Sequence, residues 1–401
     1  MFFFFFFFTD ETNGNEKAVS YECAEWKDSA NKGDWSELYT LYKLLVDQSL
    51  FPINKFQTKG ERLRMPILSI LRHTDKQRSA EYRIDDQGEI MINANGIETV
   101  ELSRSELEKY TSILLDAIKS GNNSSFKIPE LDEFRKKTFC PNIKCYSKRL
   151  ENGNQDKSDL YIVIHDAVTG QTPKLGFSIK SEIGEPPTLF NASEQTNFRY
   201  RLSRNLPQEK IDYVNKMQSH GKTDIQGRVR FLLKEGISLD FETINPSKKG
   251  DNIFLENLLL VDSSMPEILA RLLVMNYSED TRLLNKLTDK LTESNPLKFP
   301  MRTNQKVYEA KVKRFVSDAA LGLLPSQPWD ANRRAAGVLV VTETGDVDCY
   351  HVIYQASLED YLYNDLKFET PSASRHKFGS IEIGEDGNQY FSLNLQLRFL
   401  K

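Results

Sequence analysis

Two runs of alternating apolar and polar residues, separated by a short turn-rich segment, constrain the fold of this chain most strongly. The first run ends at Ile164, the second begins near Leu175, and residues 166–173 between them include Gly170 and Pro173. Alternation over four to eight residues is typical of a half-buried strand, and a short connection rich in turn residues favours a hairpin. The sequence therefore predicts an antiparallel β-hairpin with one apolar face.

The pairing within this hairpin can be predicted from its turn. If the chain folds back after Thr169, Ile164 faces Leu175 and Asp159 faces Lys180. Directly opposed residues on one face have Cβ atoms ~4.5–5.5 Å apart. Hydrolysis of a phosphodiester needs a hard cation and a group that orients the attacking water, which a carboxylate beside an ammonium could supply. An ordinary cross-strand ion pair is the alternative, and the short pattern alone favours it.

Composition excludes few classes of protein. The 401 residues could form two domains or one elaborated domain, and no apolar run approaches the ~20 residues of a membrane-spanning helix. The net charge of −4 does not support nonspecific binding of nucleic acid by bulk charge. Four cysteines are few for this length, so we expect a reducing cytoplasm and no disulfide framework. The phenylalanine run at residues 2–8 lacks signal-peptide features, and residues 1–10 are interpreted as a disordered or artefactual tail.

Positive charge is concentrated in two local clusters. Residues 196–206 contain Arg199, Arg201 and Arg204 without an acid, and residues 299–314 contain five basic residues against Glu309 alone. Such clusters could line a groove that follows phosphates. A solvated helix face is the alternative, and for the second cluster alone it is the favoured one.

Glu37 lies in a segment that predicts an amphipathic helix from about residue 31 to Ser49. Asp34 is the predicted N-cap, and Glu37 three residues later could close a capping box. The same side chain projects in line with Leu41, toward the packed side, where a carboxylate is costly unless paired or bound to metal. Both interpretations stay open.

The rest of the chain predicts a mixture of helices and hairpins. A capping-box start at Ser103 predicts a helix that ends before Gly121. Further helices are predicted at 208–218, 222–234, 265–275, 282–292 and 305–324. Hairpins are predicted from residues 80–84 with 89–93, 337–342 with 347–354, and 381–383 with 389–399.

Three blocks taken together resemble a known family. Residues 31–39, residues 158–200, and residues 371–379 followed by 393–399 resemble the HpaII-like type II restriction endonucleases, in collinear order over nearly the whole chain. The pattern of Asp159 followed by Ser178-Ile179-Lys180 resembles the signature of the PD-(D/E)xK nuclease superfamily, with Ser178 where an acid is usual. The resemblance outweighs the interpretation as an ordinary ion pair.

The resemblance implies a fold and a division of the chain. The expected class is α+β or α/β, with a restriction-endonuclease-like PD-(D/E)xK core, a mixed sheet flanked by helices, and N-terminal helical and C-terminal mixed elaborations. After the tail at 1–10, residues 11–150 would be a helix-rich part that supplies Glu37, and residues 151–260 the nuclease core. Residues 261–401 would be a mixed part, helices then hairpins, that contacts DNA.

The resemblance also implies an activity. It is Mg²⁺-dependent hydrolysis of double-stranded DNA at a short palindrome, with Mn²⁺ as a substitute metal, 5′-phosphate ends, and CCGG as the specificity that the family suggests. A cognate DNA methyltransferase would be a functional rather than a physical partner. The enzyme would be a cytoplasmic monomer or homodimer without a membrane contact. A cleavage-inactive, sequence-specific DNA-binding module is the alternative, favoured by Ser178 and the acidic net charge.

Catalytic roles follow from the resemblance residue by residue. Asp159 is expected to bind the metal, Ile179 to contact it through its backbone carbonyl, and Lys180 to orient or activate water. Glu37 matches the helical acid that often joins such a site and would supply the missing charge through a water molecule. Whether Ser178 or Glu37 replaces the missing acid stays open.

Candidate DNA contacts lie in two segments. Residues 191–197 are rich in small polar side chains that suit phosphates or base edges, although turn-forming and capping roles fit them equally well. The side chains in question are Asn191, Ser193, Thr196 and Asn197. Arg199 and Arg201 would share one strand face and meet a backbone or guanine edges. Arg375 and His376 form a second candidate loop.

Overall fold

The computed structural model describes residues 27–401, apart from 76–77, 95–96, 123, 148–154, 167–168, 246–249, 301–302, 304 and 401, and apart from the side chains of 97–99. Of the first 26 residues it describes only the backbone of Phe5–Phe6 and Val19–Ser20, which pair antiparallel. Apart from Phe5–Phe6, the interpretation of residues 1–10 as a tail lies outside the described residues.

The chain divides into two compact units that are interleaved in sequence. The first consists of Met1–Leu50, Met65–Ser147 and Asp159–Lys174. The second consists of Phe51–Arg64, Lys148–Ser158 and Leu175–Lys401.

Besides the strand pair Phe5–Phe6 and Val19–Ser20, the described part of the first unit holds three α-helices and six β-strands. The helices are α1 (Lys32–Asp47), α2 (Arg104–Ser120) and α3 (Asp132–Lys137). The strands are β1 (Ser49–Leu50), β2 (Met65–His73), β3 (Ser79–Ile84), β4 (Ile90–Ala94), β5 (Ile97–Leu102) and β6 (Leu160–Ile164). A 3-10 turn, Pro129–Leu131, precedes α3.

The strands of the first unit form an antiparallel sheet. Its order is β6-β2-β3-β4-β5, and β1 pairs with the start of β2. The predicted hairpin at 80–93 is confirmed, since Ile84 faces Ile90 across a turn in which Gly88 has φ +84°. Glycine adopts this left-handed conformation without the steric cost that a side chain brings.

The predicted apolar stripe of α1 forms much of this unit's core. Trp35, Leu38, Leu41, Tyr42 and Leu45 are all fully buried. Full burial of such a side chain contributes about 1.5–3 kcal/mol each relative to exposure. Together these side chains anchor α1 and fix its orientation about its own axis, and so fix the directions in which its other side chains point.

The pairing partner of Ile164 after β6 differs from the prediction by two residues. The Ile164 N–H donates to the Pro173 carbonyl at 3.3 Å, and the Asp166 N–H donates to the Gln171 carbonyl at 2.9 Å. Ile164 therefore faces Pro173 near the turn, and its predicted pairing with Leu175 is wrong. A shift of two residues leaves unchanged which positions share a face, because side chains alternate with period two. The direct opposition of Asp159 and Lys180 stays a prediction.

The second unit begins its regular structure with strand β7 (Lys174–Ser181), all but the first residue of which belongs to it. The other strands are β8 (Thr188–Phe190), β9 (Asn197–Leu202), β10 (Gln218–Ser219), β11 (Lys222–Thr223), β12 (Leu239–Ile244), β13 (Ala335–Val341), β14 (Val347–His351), β15 (Leu366–Phe368), β16 (Ile381–Ile383), β17 (Gln389–Asn394) and β18 (Leu397–Phe399).

Five of the eight helices in the described part of the second unit follow predicted segments, and the three at residues 253–261, 355–364 and 373–376 were not predicted. The eight helices are α4 (Gln208–Lys216), α5 (Ile225–Lys234), α6 (Ile253–Val261), α7 (Met265–Ser278), α8 (Leu284–Ser294), α9 (Val307–Leu321), α10 (Gln355–Asn364) and α11 (Ala373–His376). Short 3-10 turns lie at Lys59–Glu61, Glu194–Thr196 and Val352–Tyr354.

Three larger sheets organise the second unit, besides the two-stranded antiparallel pair of β10 and β11. β13 pairs parallel with β7 and antiparallel with β14, so this sheet is mixed, and α9 and α10 pack against it. A four-stranded antiparallel sheet has the order β12-β9-β17-β16, and a three-stranded one has the order β8-β18-β15. This mixed sheet with packed helices is compatible with the predicted α+β class.

The C-terminal hairpins are confirmed, with one correction. Val341 faces Val347 across Gly345, and Ile383 faces Gln389, as predicted. The run predicted to continue to residue 399 is instead divided between two sheets, because β17 pairs with β9 while β18 pairs with β8 and β15.

No helix in the described part of the chain is long and apolar enough to cross a membrane. The three described cysteines, Cys140, Cys145 and Cys349, are buried free thiols.

Candidate active site and nucleic-acid interface

Helix α1 has its N-cap three residues earlier than predicted. Asn31, not Asp34, is its N-cap, since the Asn31 Oδ1 accepts the Asp34 N–H at 2.9 Å and its Nδ2 donates to the Asp34 carboxylate at 2.9 Å. Glu37 is therefore in the second turn and closes no capping box. The interpretation of Glu37 as part of a capping box is therefore wrong, and another partner must stabilise its carboxylate.

That partner is the backbone of a loop far away in the sequence. The Cys145 N–H donates to the Glu37 carboxylate at 2.6 Å. Burial, and next the nearby Asp159 carboxylate, raise the pKa of Glu37 from 4.5 to about 8. Two carboxylates in one partly buried place repel each other, which favours either a proton or a cation between them. The first unit thus brings together Glu37 and Asp159, the two predicted acidic residues.

Two buried arginines hold the loop that contacts Glu37. The Arg72 guanidinium donates to the carbonyls of Asn142 and Ile143 at 2.6 and 2.8 Å. Arg135 donates to the carbonyls of Cys140 and Pro141 at 3.3 and 2.8 Å. Both side chains are fully buried, so these charge-assisted hydrogen bonds are strong and their loss costly. The loop, and with it the Cys145 N–H, has a fixed position.

Strand β7 in the second unit carries the Ser-x-Lys part of the motif. The Lys180 ammonium donates to the Ser178 hydroxyl at 3.0 Å and to the Ile179 carbonyl at 2.9 Å. Ser178 is buried, whereas Lys180 is partly exposed. The serine that replaces the usual acid thus gives the ammonium a neutral partner.

The carboxylate oxygens of Glu37 and Asp159 suit a hard divalent cation. Mg²⁺ prefers oxygen ligands and is often held by only one or two carboxylates, with water completing its shell. The described residues contain no cluster of three or more His, Cys, Asp or Glu side chains that could hold a metal ion. The mutual repulsion of Glu37 and Asp159 is the observation that fits a cation, because a positive charge would relieve it.

The raised pKa of Glu37 predicts a pH-dependent stability. Because its folded-state pKa lies above its unfolded-state value, the metal-free protein should lose stability as pH rises from about 4.5 to about 8. Glu37→Gln keeps an acceptor for the Cys145 N–H and removes this loss. The variant should gain on the order of a few kcal/mol over the parent at pH 8.5 and little at pH 5.

Urea unfolding in EDTA at both pH values measures this difference. Asp47→Asn is the matched control, since Asp47 lies on the same helix and pairs with Lys43 at 2.5 Å near the surface. An equal gain for Glu37→Gln at pH 5 and pH 8.5 would contradict the prediction.

The segment 191–197 is only partly accessible. Asn191 is exposed and Ser193 is half-buried, as the N-cap of the 3-10 turn Glu194–Thr196. Thr196 and Asn197 are fully buried. The Asn197 amide donates to the carbonyls of His376 and Lys377 at 2.8 and 3.3 Å. Within the second unit, the structure therefore brings the first candidate DNA-contact segment against the second.

Arg199 and Arg201 share one face of β9, as predicted. Phe198 and Tyr200 point to the other face and are buried, while Arg199 is half-buried and Arg201 exposed. The Arg199 guanidinium stacks over the Tyr390 ring at 3.7 Å. Within the described part of the chain, no acidic group lies within 4 Å of Arg201. This strand face therefore presents the free Arg201 guanidinium beside the Arg199 guanidinium, which Tyr390 positions.

Arg375 and His376 line a polar cavity of about 610 Å³ with Asn191. The other lining residues are Ala192, Glu369, Thr370, Pro371, Ser372, Gln396 and Arg398. Arg375 is exposed. Burial and the neighbouring Arg375 charge lower the pKa of His376, which keeps its imidazole neutral near pH 7. The cavity thus presents donors and acceptors of the kind that read base edges.

The lysines of the second basic cluster are paired with acidic residues of their own unit. Lys306 pairs with Glu309 at 3.0 Å, and Lys313 pairs with Glu309 and Asp360 at 2.7 Å each. Lys311 pairs with Asp262. Charges already paired offer little to phosphate, so these described residues carry no argument for a DNA groove.

Several residues of this interface were not predicted. Tyr390 positions Arg199, and Gln396 and Arg398 line the cavity. Asn394 lies opposite Asn197. A signal was present, because residues 393–399 alternate leucine or phenylalanine with Asn394, Gln396 and Arg398. Such alternation places the three polar side chains on one face.

Comparison with known proteins defines the class to which this site belongs. The family model described as HpaII restriction endonuclease matches residues 31–399, which include every site residue discussed above. The protein is therefore a restriction endonuclease, a nuclease of the hydrolase class.

A curated relative agrees with the family model. The chain is 37% identical over 375 residues to the type II restriction enzyme HpaII of Haemophilus parainfluenzae, covering 93% of this chain and 99% of that protein. This chain belongs to the HpaII restriction endonuclease family. No solved structure matches it.

Proposed function

We propose that this protein hydrolyses phosphodiester bonds in both strands of double-stranded DNA at a short palindromic site, leaving 5′-phosphates. The family relationship suggests CCGG as that site. The observation that carries the proposal is the Glu37 carboxylate, whose pKa is raised by burial and next by the neighbouring Asp159 carboxylate, in a chain matched to a restriction endonuclease family over residues 31–399.

The proposed cofactor is Mg²⁺, with Mn²⁺ as a substitute. Asp159, Glu37 and the Ile179 carbonyl would hold it, and the bound cation would neutralise developing charge on the phosphate and acidify the attacking water. Glu37 supplies the carboxylate that is absent at Ser178. The Cys145 N–H lies on the loop that Arg72 holds by hydrogen bonds, and it keeps the Glu37 carboxylate in one orientation.

Lys180 is proposed to orient the water that attacks the phosphorus. Its ammonium has hydrogen-bond partners of the same strand, the Ser178 hydroxyl and the Ile179 carbonyl, which limit its freedom. Ser178 is thereby a positioning residue for Lys180.

The same proposal includes the type of nuclease core, the residues that contact DNA and the functional partners. The core is of the PD-(D/E)xK type, with residues 11–150 supplying Glu37, 151–260 the nuclease core and 261–401 further DNA contacts. Direct contacts with DNA come from Asn191, Ser193, Arg199, Arg201, Arg375 and His376, and Thr196 and Asn197 support them. A cognate methyltransferase protects host DNA in the cytoplasm, and the enzyme acts as a monomer or homodimer.

Digestion of plasmid DNA tests the proposed function. The purified protein should give discrete fragments with Mg²⁺ or Mn²⁺ and none with EDTA. Plasmid methylated at the site should resist cleavage. Retarded migration without cleavage under every divalent metal would instead identify a DNA-binding module that has lost its activity.

A further inference from the structure

Two buried asparagines meet where strands β9 and β17 pair. Asn197 is the first residue of β9, Asn394 is the last of β17, and the two are directly opposed. Both are fully buried. The Asn394 side-chain amide donates to the side-chain oxygen of Asn197, Oδ1, at 2.6 Å. A buried amide left unpaired costs free energy, so the arrangement of its donors and acceptors is strongly constrained.

The remaining amide hydrogens of the pair reach two different loops. The Asn394 amide also donates to the Ser193 carbonyl at 2.7 Å. The Asn197 amide donates to the His376 carbonyl at 2.8 Å and to the Lys377 carbonyl at 3.3 Å. One pair of side chains therefore joins two backbone segments that are about 180 residues apart in sequence.

Both segments contribute residues to the lining of the polar cavity. Asn191 and Ala192 precede Ser193 directly, and Arg375 and His376 precede Lys377. All four of these preceding residues line the cavity.

Besides these hydrogen bonds, the second segment is held by an ion pair between Lys377 and Glu194 at 3.1 Å. Helix α11 spans only four residues, and Lys377 after it adopts a left-handed conformation with φ +50°. A lysine in this conformation is uncommon and persists where surrounding bonds hold it.

We infer that Asn197 and Asn394 are positioning residues that fix the Arg375–His376 loop relative to Asn191, and so set the spacing of the DNA-contacting side chains around the cavity. The inference rests on the proposed function. It also assigns Asn197 a role different from direct DNA contact. The pair acts through the loops it bonds, because both amides are buried.

Asn197→Asp tests the inference with almost no change in side-chain volume. Aspartate keeps an acceptor for the Asn394 amide but loses both donors and faces two carbonyls. KM for plasmid DNA should rise about ten- to a hundredfold, the loss expected when a base or phosphate contact is misplaced. At saturating DNA, kcat should stay within about threefold, because the catalytic residues are untouched.

Asn257 provides a matched control. It is also buried, and its amide donates to the carbonyls of Leu324 and Gln327 at 3.0 and 2.8 Å, away from the cavity-lining residues. Asn257→Asp should lower thermal stability without changing KM. A rise in KM for Asn197→Asp but not for Asn257→Asp supports the inference. Equal effects of the two variants on KM, or no change for Asn197→Asp, overturn it.

A second variant keeps the test valid if Asn197→Asp does not fold. Asn197→Ser adds no charge and retains one donor, so a smaller rise in KM with unchanged kcat is expected. An unchanged KM for this variant overturns the inference. Lack of cleavage by the wild-type protein would instead count against the proposed function itself, so the two failures are distinguishable.

Discussion

Lys180→Met is expected to lower the single-turnover rate of DNA cleavage by about 10²- to 10⁴-fold, the range typical of a lost group that orients or deprotonates the attacking water. Methionine keeps the length and apolar stem of lysine, so strand β7 should still form. The ammonium is held by Ser178 and Ile179 of its own strand, and its removal leaves only a hydroxyl and a carbonyl facing the reaction. DNA binding should change little, because one partly exposed charge contributes little to affinity.

Lys174→Met is the control for this effect. Lys174 lies six residues earlier on the same strand, is exposed, and stacks over Tyr161 at 5.3 Å. An even spacing places it on the same strand face as Lys180, yet it should cut at the wild-type rate. Equal loss of cleavage in both variants would show a general effect of charge and would refute the catalytic role of Lys180.

Glu37→Gln should lower cleavage by about 10²-fold or more at fixed Mg²⁺, since a carboxylate that neutralises the site is lost. Glutamine can still accept the Cys145 N–H, so α1 and its contact with the loop should persist. Ser178→Ala should cost less, because it removes a hydrogen bond to Lys180 and no charge. This order of effects assigns the missing acid to Glu37.

The reverse substitution sharpens this assignment. In Glu37→Gln combined with Ser178→Asp, the second acid returns to its usual place in the motif, and cleavage should recover in part. Rates are compared over a range of Mg²⁺ concentrations, so that weaker metal binding and slower chemistry are separated. If Ser178→Ala proves as damaging as Glu37→Gln, the charge does not come from Glu37 alone.

Local patterns predicted most elements of the fold. Alternation gave the hairpins at 80–93, 337–351 and 381–389, and periodicity gave five of the helices after residue 207 but not those at 253–261, 355–364 and 373–376. Errors occurred where two local signals competed. Asn31 and Asp34 are both good N-caps, and only the reciprocal hydrogen bonds between them show that the helix begins after Asn31. The pairing partner of Ile164 after β6 was mispredicted by two residues for a similar reason, since hairpin loops of different length share the same turn residues.

The candidate site was less accessible to sequence analysis, because its decisive contacts are long-range. Glu37 was suspected from its place on the packed side of α1, but nothing local indicates that the Cys145 N–H, 108 residues away, holds its carboxylate. Asn197 was predicted to face DNA, whereas its amide is buried against the loop of His376. Local sequence shows that a residue is polar, and only the tertiary structure shows which backbone its polar atoms meet.

The most direct test of the account is to sequence the ends of every fragment after the wild-type protein has digested genomic DNA in Mg²⁺. The account predicts that all ends carry 5′-phosphates and fall within one short palindrome, and that EDTA abolishes them. Ends scattered over unrelated sequences, or DNA left intact under every divalent metal, would contradict it.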